Sequence, residues 1–266
     1  MNPSRKAALP RIVSLAPNVT SILVAIGAQR SLVGVSRWCA DVAPAVANLP
    51  RVGDCWKLDV ADVMKLQPDL VIGSVPFRAG VVAKLIQQPV AFLAISPRDL
   101  AGIRSDIRLL GRLANRGEAA EKLIQRMERA FAAVARRAAR ISVAAGKPRV
   151  YAEAWPNPRI SSPPWVAELI EIAGGINATA AGQKVSDDDV ARGRPDVIVL
   201  AWTATGDRAK TSRAYGVKGW KDVPAIRDRR VFVVRDDLLN TPGPPLMEGV
   251  RALLSAIHQA GAARRR

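Results

Sequence analysis

The side chains best suited to binding chemistry are aromatic. Six tryptophans stand against two tyrosines and four phenylalanines. Trp38, Trp56, Trp155 and Trp202 fall in loops or at strand ends, not at periodic core positions. Indole faces placed this way hold a large flat ligand with an apolar face, because stacking and burial on rigid rings supply most of the affinity. The competing reading has each tryptophan pinning a loop onto its own lobe. That is even odds for any one of them and much weaker for all four. Trp220 begins a short helical pattern and is expected to pack, and Trp165 opens a helix and fits either role.

Catalysis has little to work with. The one histidine, His258, falls on an apolar C-terminal helical pattern and reads as a helix-surface or capping residue. A Ser/His/Asp triad would depend on it alone. The chain has no GxSxG, Walker, GxGxxG or HExxH sequence. Asp187, Asp188 and Asp189 are consecutive and read as a helix start, not as paired acids. A His-rich zinc or manganese site is excluded for want of ligands, so neither a metal site nor a catalytic cofactor is expected. Cys39 and Cys55 are too few for a disulfide framework, and two unrelated buried thiols are favoured over one bridge.

The 266 residues carry a net charge of +17. The basic residues are spread over all segments and cluster only at 136–140, 227–230 and 264–266. Nothing reads as a helix-turn-helix or an RNA-binding signature, so scattered solvated charge is preferred over nucleic-acid binding. No apolar run approaches the ~18 residues of a membrane span. No apolar stretch precedes Arg11, so the first residues do not read as a signal peptide. On that reading the protein either stays inside the cell or starts further upstream.

Behind the tryptophans lies an α/β alternation. Strands are expected at 11–15, 32–36, 70–74 and 90–95. Helices are expected at 19–28, stopped by Gly27, at 58–67, with Asp59 as cap, and at 77–88. Residues 38–56 read mainly as loop. Nearly all-apolar strands separated by helices predict a parallel sheet covered on both faces. Ser96, Pro97 and Asp99 read as N-cap, N1 and N3 of a helix reaching about Ala114. After AAGKP (144–148) the alternation restarts. Strands are expected at 149–154, 197–201 and 231–234. Helices are expected at 166–177, with a Gly174–Gly175 stop, at 185–193 and at 244–260. Residues 155–165 and 202–217 read as loop, 219–230 contains a short helix, and the last residues are expected to fray.

Between the two alternating blocks, residues 117–141 read as one unbroken amphipathic helix. Its apolar stripe runs through Ala119, Ala120, Leu123, Ile124, Met127, Ala130, Phe131, Val134, Ala138 and Ile141. Such a rod is roughly 38 Å long. LDVADVMKLQPDLVIGS (58–74) lines up with VSDDDVARGRPDVIVLA (185–201), and the strand–helix–glycine order at 11–27 lines up with 149–174. The offset of about 127 residues between the two motifs, with the same order of elements in each block, reads as two like halves. The rod then reads as a linker between them. The expected domains are an N-terminal α/β lobe over 11–97, a helical segment with the linking helix over 98–146, and a C-terminal α/β lobe over 147–260.

This pattern resembles the helical-backbone (class III) periplasmic substrate-binding proteins of ABC importers, which serve cobalamin, haem and iron-siderophore uptake. The resemblance runs from Arg11 to about Ala260. It is carried by RIVSLAPNVTSILVAIGA, LVGVSRWCADVAP, the 58–74 motif and TPGPPLMEGVRALLSAIH. The cobalamin-binding members are most similar, through WCADVAP and RVGDCWKLD. The resemblance implies two α/β lobes, each with a mainly parallel sheet, joined by one rigid helix with little closure on ligand. It implies a corrinoid held between the lobes without catalysis. By position it implies ligand contacts from Trp38 and Trp56 on the first lobe. On the second it implies Tyr151, Trp155, Ile160 and Trp202, with Leu238 and Leu239 where the family often has an aromatic. It also implies a periplasmic or extracytoplasmic setting and an ABC permease as partner.

A ferric siderophore or haem is the alternative ligand, with Arg37, Arg78, Arg159 and Arg235 available to an anionic complex. The chain departs from the family at Ser21, where an acid is usual. It also departs at SVPFRAGV (74–81) and DDLLNTPG (236–243), where the family's permease-docking glutamates lie. The first holds Arg78 and no acid, and the second holds Asp236 and Asp237.

Overall fold

A computed structural model describes residues 9–142 and 146–263. The opening residues, the two alanines of AAGKP and the 264–266 arginines lie outside the described residues. In chain order the first elements are β1 (Ile12–Ser14), α1 (Pro17–Ala25), β2 (Leu32–Ser36), α2 (Cys39–Val42) and β3 (Arg51–Val52). They continue with α3 (Val60–Lys65), β4 (Leu70–Ser74), α4 (Ala79–Leu85), β5 (Ala91–Ile95) and α5 (Leu100–Leu113). The rod is α6 (Gly117–Ser142). After it come β6 (Arg149–Pro156), β7 (Arg159–Ser161), α7 (Pro164–Ile172), β8 (Ile176–Asn177), α8 (Asp187–Gly193) and β9 (Val197–Leu200). The chain closes with α9 (Ser212–Tyr215), α10 (Pro224–Arg227), β10 (Val231–Val233), α11 (Asp236–Asn240) and α12 (Leu246–Ala263).

Contacts divide the chain into two compact units: Met1–Pro97 with Ala101–Gln125, and Arg98–Leu100 with Arg126–Arg266. The division falls inside α6. Unit 1 holds a five-stranded sheet in the order β3-β2-β1-β4-β5, parallel throughout. Unit 2 holds the order β10-β9-β6-β7 with β8 also on β6, parallel except for the β6–β7 hairpin. Runs such as Val197–Leu200 are wholly buried, as strands covered on both faces require.

The echo seen in the sequence reaches individual hydrogen bonds. Asp69 accepts from the Arg11 amide at 2.8 Å, and Asp196 accepts from the Arg149 amide at 2.9 Å. In each unit that arginine's Nε donates to a carbonyl at or just past the end of the short helix that leads into the Pro-Asp step, Gln67 in one and Gly193 in the other. Gln67 and Arg194 both take left-handed φ, at 46° and 42°. Asp59 caps α3 through the Ala61 amide, and Ser186 forms a capping box with Asp189 on α8. Gly27 and Gly174 stop their helices with φ of 72° and 85°.

Three expectations are corrected. The Pro-rich stretch at 155–165 is not all loop, because Arg159–Ser161 pairs antiparallel with β6. Residues 38–56 contain α2 and β3. The helix expected to start at Ser96 starts at Leu100, whose amide donates to Glu168 Oε1 at 2.9 Å. The cap comes from a carboxylate 68 residues away. No reading of Ser96-Pro97 could have supplied it.

On α5, Asp106 has one buried carboxylate oxygen without a hydrogen-bond partner. Burial pushes its pKa up to about 6. Its folded value lies above its unfolded value, so the native state binds the extra proton and stability falls as pH rises from about 4 to about 6. Asp106→Asn is expected to stabilise the protein above that window by about 1 kcal/mol after solvent screening. The gain should vanish near pH 4, and urea titrations at the two pH values would show an equal gain at both if this account is wrong.

Candidate functional site

Each unit places an exposed indole two residues after a buried carboxylate. In unit 1 the node is Asp54. Its Oδ1 accepts from the amides of Trp56 and Lys57 at 3.0 and 2.9 Å, and its Oδ2 accepts from Trp38 Nε1 at 3.1 Å. Arg37 Nε lies 3.5 Å from Oδ2, and its guanidinium stacks 4.4 Å over the Trp38 ring. Burial would raise this carboxyl. The Lys57 and Trp56 amides, the indole and the Arg37 charge outweigh it and hold the pKa below its usual value. The turn is tight: a Cβ on Gly53 would sit 1.9 Å from the Lys57 carbonyl oxygen. Trp56, two residues past the anchor, is left 58 % exposed.

In unit 2 the node is Glu153, on β6 and buried. It accepts from Tyr151 Oη at 2.8 Å, from Trp202 Nε1 at 2.8 Å and from the Arg159 guanidinium. Arg159 also holds Asp187 at 2.8 Å and stacks 4.4 Å over Trp220. Burial would lower the Arg159 pKa, but Glu153 and Asp187 outweigh it and keep the guanidinium charged. The β6–β7 register shifts between Glu153 and Trp155. A bulge re-aims the side chain that follows it, and Trp155 emerges 41 % exposed while Glu153 stays inside. Its indole N–H donates to the Asn157 carbonyl at 2.9 Å, which fixes the ring on the hairpin.

The expected site residues therefore separate. Trp56 and Trp155 present faces, and Trp38 is half-buried with its edge pinned. Tyr151 and Trp202 do not fit the expectation of ligand contacts: at 0 % and 7 % exposed they belong to the unit 2 core with Trp220. Tyr151 packs edge-on against Trp220 at 6.2 Å, and burial, with the Glu153 charge, pushes its phenol far above the usual range. Ile160 and Leu238 are half-buried, on β7 and α11. Leu239 is buried, and its carbonyl accepts from Trp165 Nε1 at 2.8 Å. Trp220 packs in the core as expected.

Sequence reading missed the two carboxylates. Their signal is a repeated acid–small–Trp tripeptide, Asp54-Cys55-Trp56 and Glu153-Ala154-Trp155.

Of the four arginines offered to an anionic ligand, Arg159 is committed to Glu153 and Asp187, and Arg235 to a bidentate pair with Asp237 at 3.0 Å. Arg37 stacks on Trp38, while Arg78 is exposed before α4. The acids at 236–237 are also engaged, since Asp236 accepts from the Ala204 and Gly206 amides at 2.8 and 2.7 Å. Cys39 and Cys55 are free and buried. Burial pushes Cys55 up to about 11 and raises Cys39 too. Both are expected to resist iodoacetamide at neutral pH until the protein unfolds; fast labelling of the native chain would contradict this. His258 sits on α12 with Nε2 3.0 Å from the Ala173 carbonyl oxygen.

The sequence pattern of the periplasmic binding protein family matches residues 12–238. A substrate-binding lipoprotein of an uncharacterised ABC transporter from Bacillus subtilis is 27 % identical, over 93 % of this chain and 80 % of its own. A vitamin B12-binding protein of Vibrio cholerae is 26 % identical, over 90 % and 86 %. Among solved structures, a periplasmic heme binding protein from Pseudomonas aeruginosa superposes with a TM-score of 0.82 at 26 % identity, over 95 % of this chain and 94 % of that one.

Proposed function

We propose, for a chain that belongs to the periplasmic binding protein family, that its ligand is a corrinoid of the cobalamin class, bound for ABC-type uptake outside the cytoplasm. The observation that carries this reading is the pair of exposed indoles, Trp56, whose amide is held by the buried Asp54, and Trp155, whose N–H is held by the Asn157 carbonyl. A corrin ring is broad and flat with apolar edges, which suits rigid aromatic platforms. The arginines beside the tryptophans are largely paired within their own units, which favours a ligand held by faces over one held by charge. The vitamin B12-binding relative spans nearly the same length of chain. A permease partner would dock through groups other than Asp236 and Asp237, which are tied to their own unit.

Visible absorbance titration with cyanocobalamin tests the ligand. Saturable spectral change with quenching of tryptophan emission at micromolar concentration is expected, and the absence of both signals at that concentration would overturn the corrinoid reading.

Haem is the second reading, favoured by the heme-binding neighbour. It needs an axial ligand. Tyr215, 41 % exposed on α9, is an accessible phenol, whereas Tyr151 is sealed in the core. A hemin-induced Soret shift that Tyr215→Phe abolishes would establish that reading in place of the corrinoid.

A further inference from the structure

Neither indole explains the surface of the rod within unit 2. Arg126, Arg129, Arg136, Arg137 and Arg140 are all exposed. At 3.6 residues per turn they fall within an arc of about 100°, over a length of about 21 Å. None of the five ion-pairs with an acid among the described residues. Two pairs of opposite charge on α6, Glu118 with Lys122 and Glu121 with Arg108, lie in its first two turns. A merely solvated face would mix signs as that first part does.

Beside the arginine arc, α6 and α12 line a half-open cavity of about 550 Å³. Ala130, Val134, Ile141 and Leu254 line it with Arg137 and Arg251, and polar side chains of α12, His258 among them, complete the wall. Arg137 thus belongs to both the stripe and the cavity. A single soluble amphiphile would meet only Arg137 and Arg251 and leave most of the stripe unused. A nucleic acid would use the stripe and leave the apolar lining unused. An anionic bilayer uses both, offering many headgroup charges along a line and acyl chains beside them.

We propose that this face of α6 and α12 docks on an anionic lipid surface. The docking is peripheral, because no helix among the described residues is long and apolar enough to cross a membrane. It does not depend on which ligand the tryptophans hold.

Co-sedimentation with phosphatidylcholine vesicles, with and without phosphatidylglycerol, tests the proposal. Binding is expected only with phosphatidylglycerol and should weaken as salt rises. The triple variant Arg129→Gln, Arg136→Gln, Arg140→Gln should lower the partition on the order of a hundredfold. The triple variant Lys210→Gln, Lys218→Gln, Lys221→Gln removes the same charge from exposed positions elsewhere in unit 2 and should bind as the parent does. All substituted side chains are exposed, and unchanged melting curves would verify folding. Equal loss in the two variants would reduce the effect to net charge and overturn the proposal. So would binding to neutral vesicles alone, no binding, or duplex DNA binding with the same dependence on the three arginines.

Discussion

Replacing Glu153 by alanine is expected to destabilise unit 2 by about 3–5 kcal/mol, the range for removing one partner of a buried ion pair. The carboxylate is 1 % exposed and has three donors. Its loss leaves Tyr151 Oη and Trp202 Nε1 buried without acceptors and leaves Arg159 with Asp187 alone. Desolvated polar groups left unpaired cost more than the net worth of the bonds they made. On a protein of this size the effect should read as a drop of roughly 10 °C in the melting transition. Glu153→Gln keeps an acceptor for the two neutral donors and removes the charge, so it should fall between wild type and alanine. The double variant Glu153→Leu, Arg159→Met removes both charges together and should recover the part of the loss that comes from the stranded Arg159 charge, while Tyr151 Oη and Trp202 Nε1 stay unpaired. If it melts no higher than the single variant, the pair is not what holds this part of the core.

That network also marks where sequence reasoning stops. The strands at 32–36 and 70–74 and the rod were legible because continuous apolar runs and 3.6-residue periodicity are local signals. The stripe read along the rod contains its buried residues, from Ala120 to Ala138. The doubling of the α/β pattern was legible because the short helices, their caps and the Pro-Asp entries recur in the same order. Elements held by distant partners were not legible. The start of α5 is fixed by Glu168, and β7 exists because it pairs with β6 across two prolines that otherwise signal loop.

The site follows the same division. That Trp56 and Trp155 leave the core periodicity is visible in the chain. That Trp202 turns inward is not, because its direction is set by Glu153, 49 positions earlier. Loop placement alone cannot distinguish a platform from a plug; a buried carboxylate accepting the indole N–H can. By that criterion Trp38, whose N–H goes to Asp54, lies between the two classes.

Trp56→Ala and Trp155→Ala are accordingly expected to weaken corrinoid binding by about 1–3 kcal/mol each, several-fold to over a hundredfold in Kd. Neither should move the melting transition much, since both rings are substantially exposed in the free protein and leave no cavity when removed. Trp202→Ala should behave in the opposite way. It vacates space in the unit 2 core, strands a Glu153 lone pair and lowers stability by several kcal/mol, with any effect on ligand arising through the fold. Titrating the three variants with cyanocobalamin alongside melting curves separates the roles. Phenylalanine at 56 or 155 should restore part of the affinity, because the flat face remains and only area is lost. If both exposed-site variants bind like the parent while Trp202→Ala loses ligand without losing stability, the platform has been assigned to the wrong indoles. Asp54→Asn gives a further check, because it leaves the Trp56 ring intact and alters the node that holds the Trp56 amide, the Trp38 indole and Arg37. A loss of affinity there with normal melting would show that the Asp54 node, and not the Trp56 ring alone, shapes the binding face of unit 1.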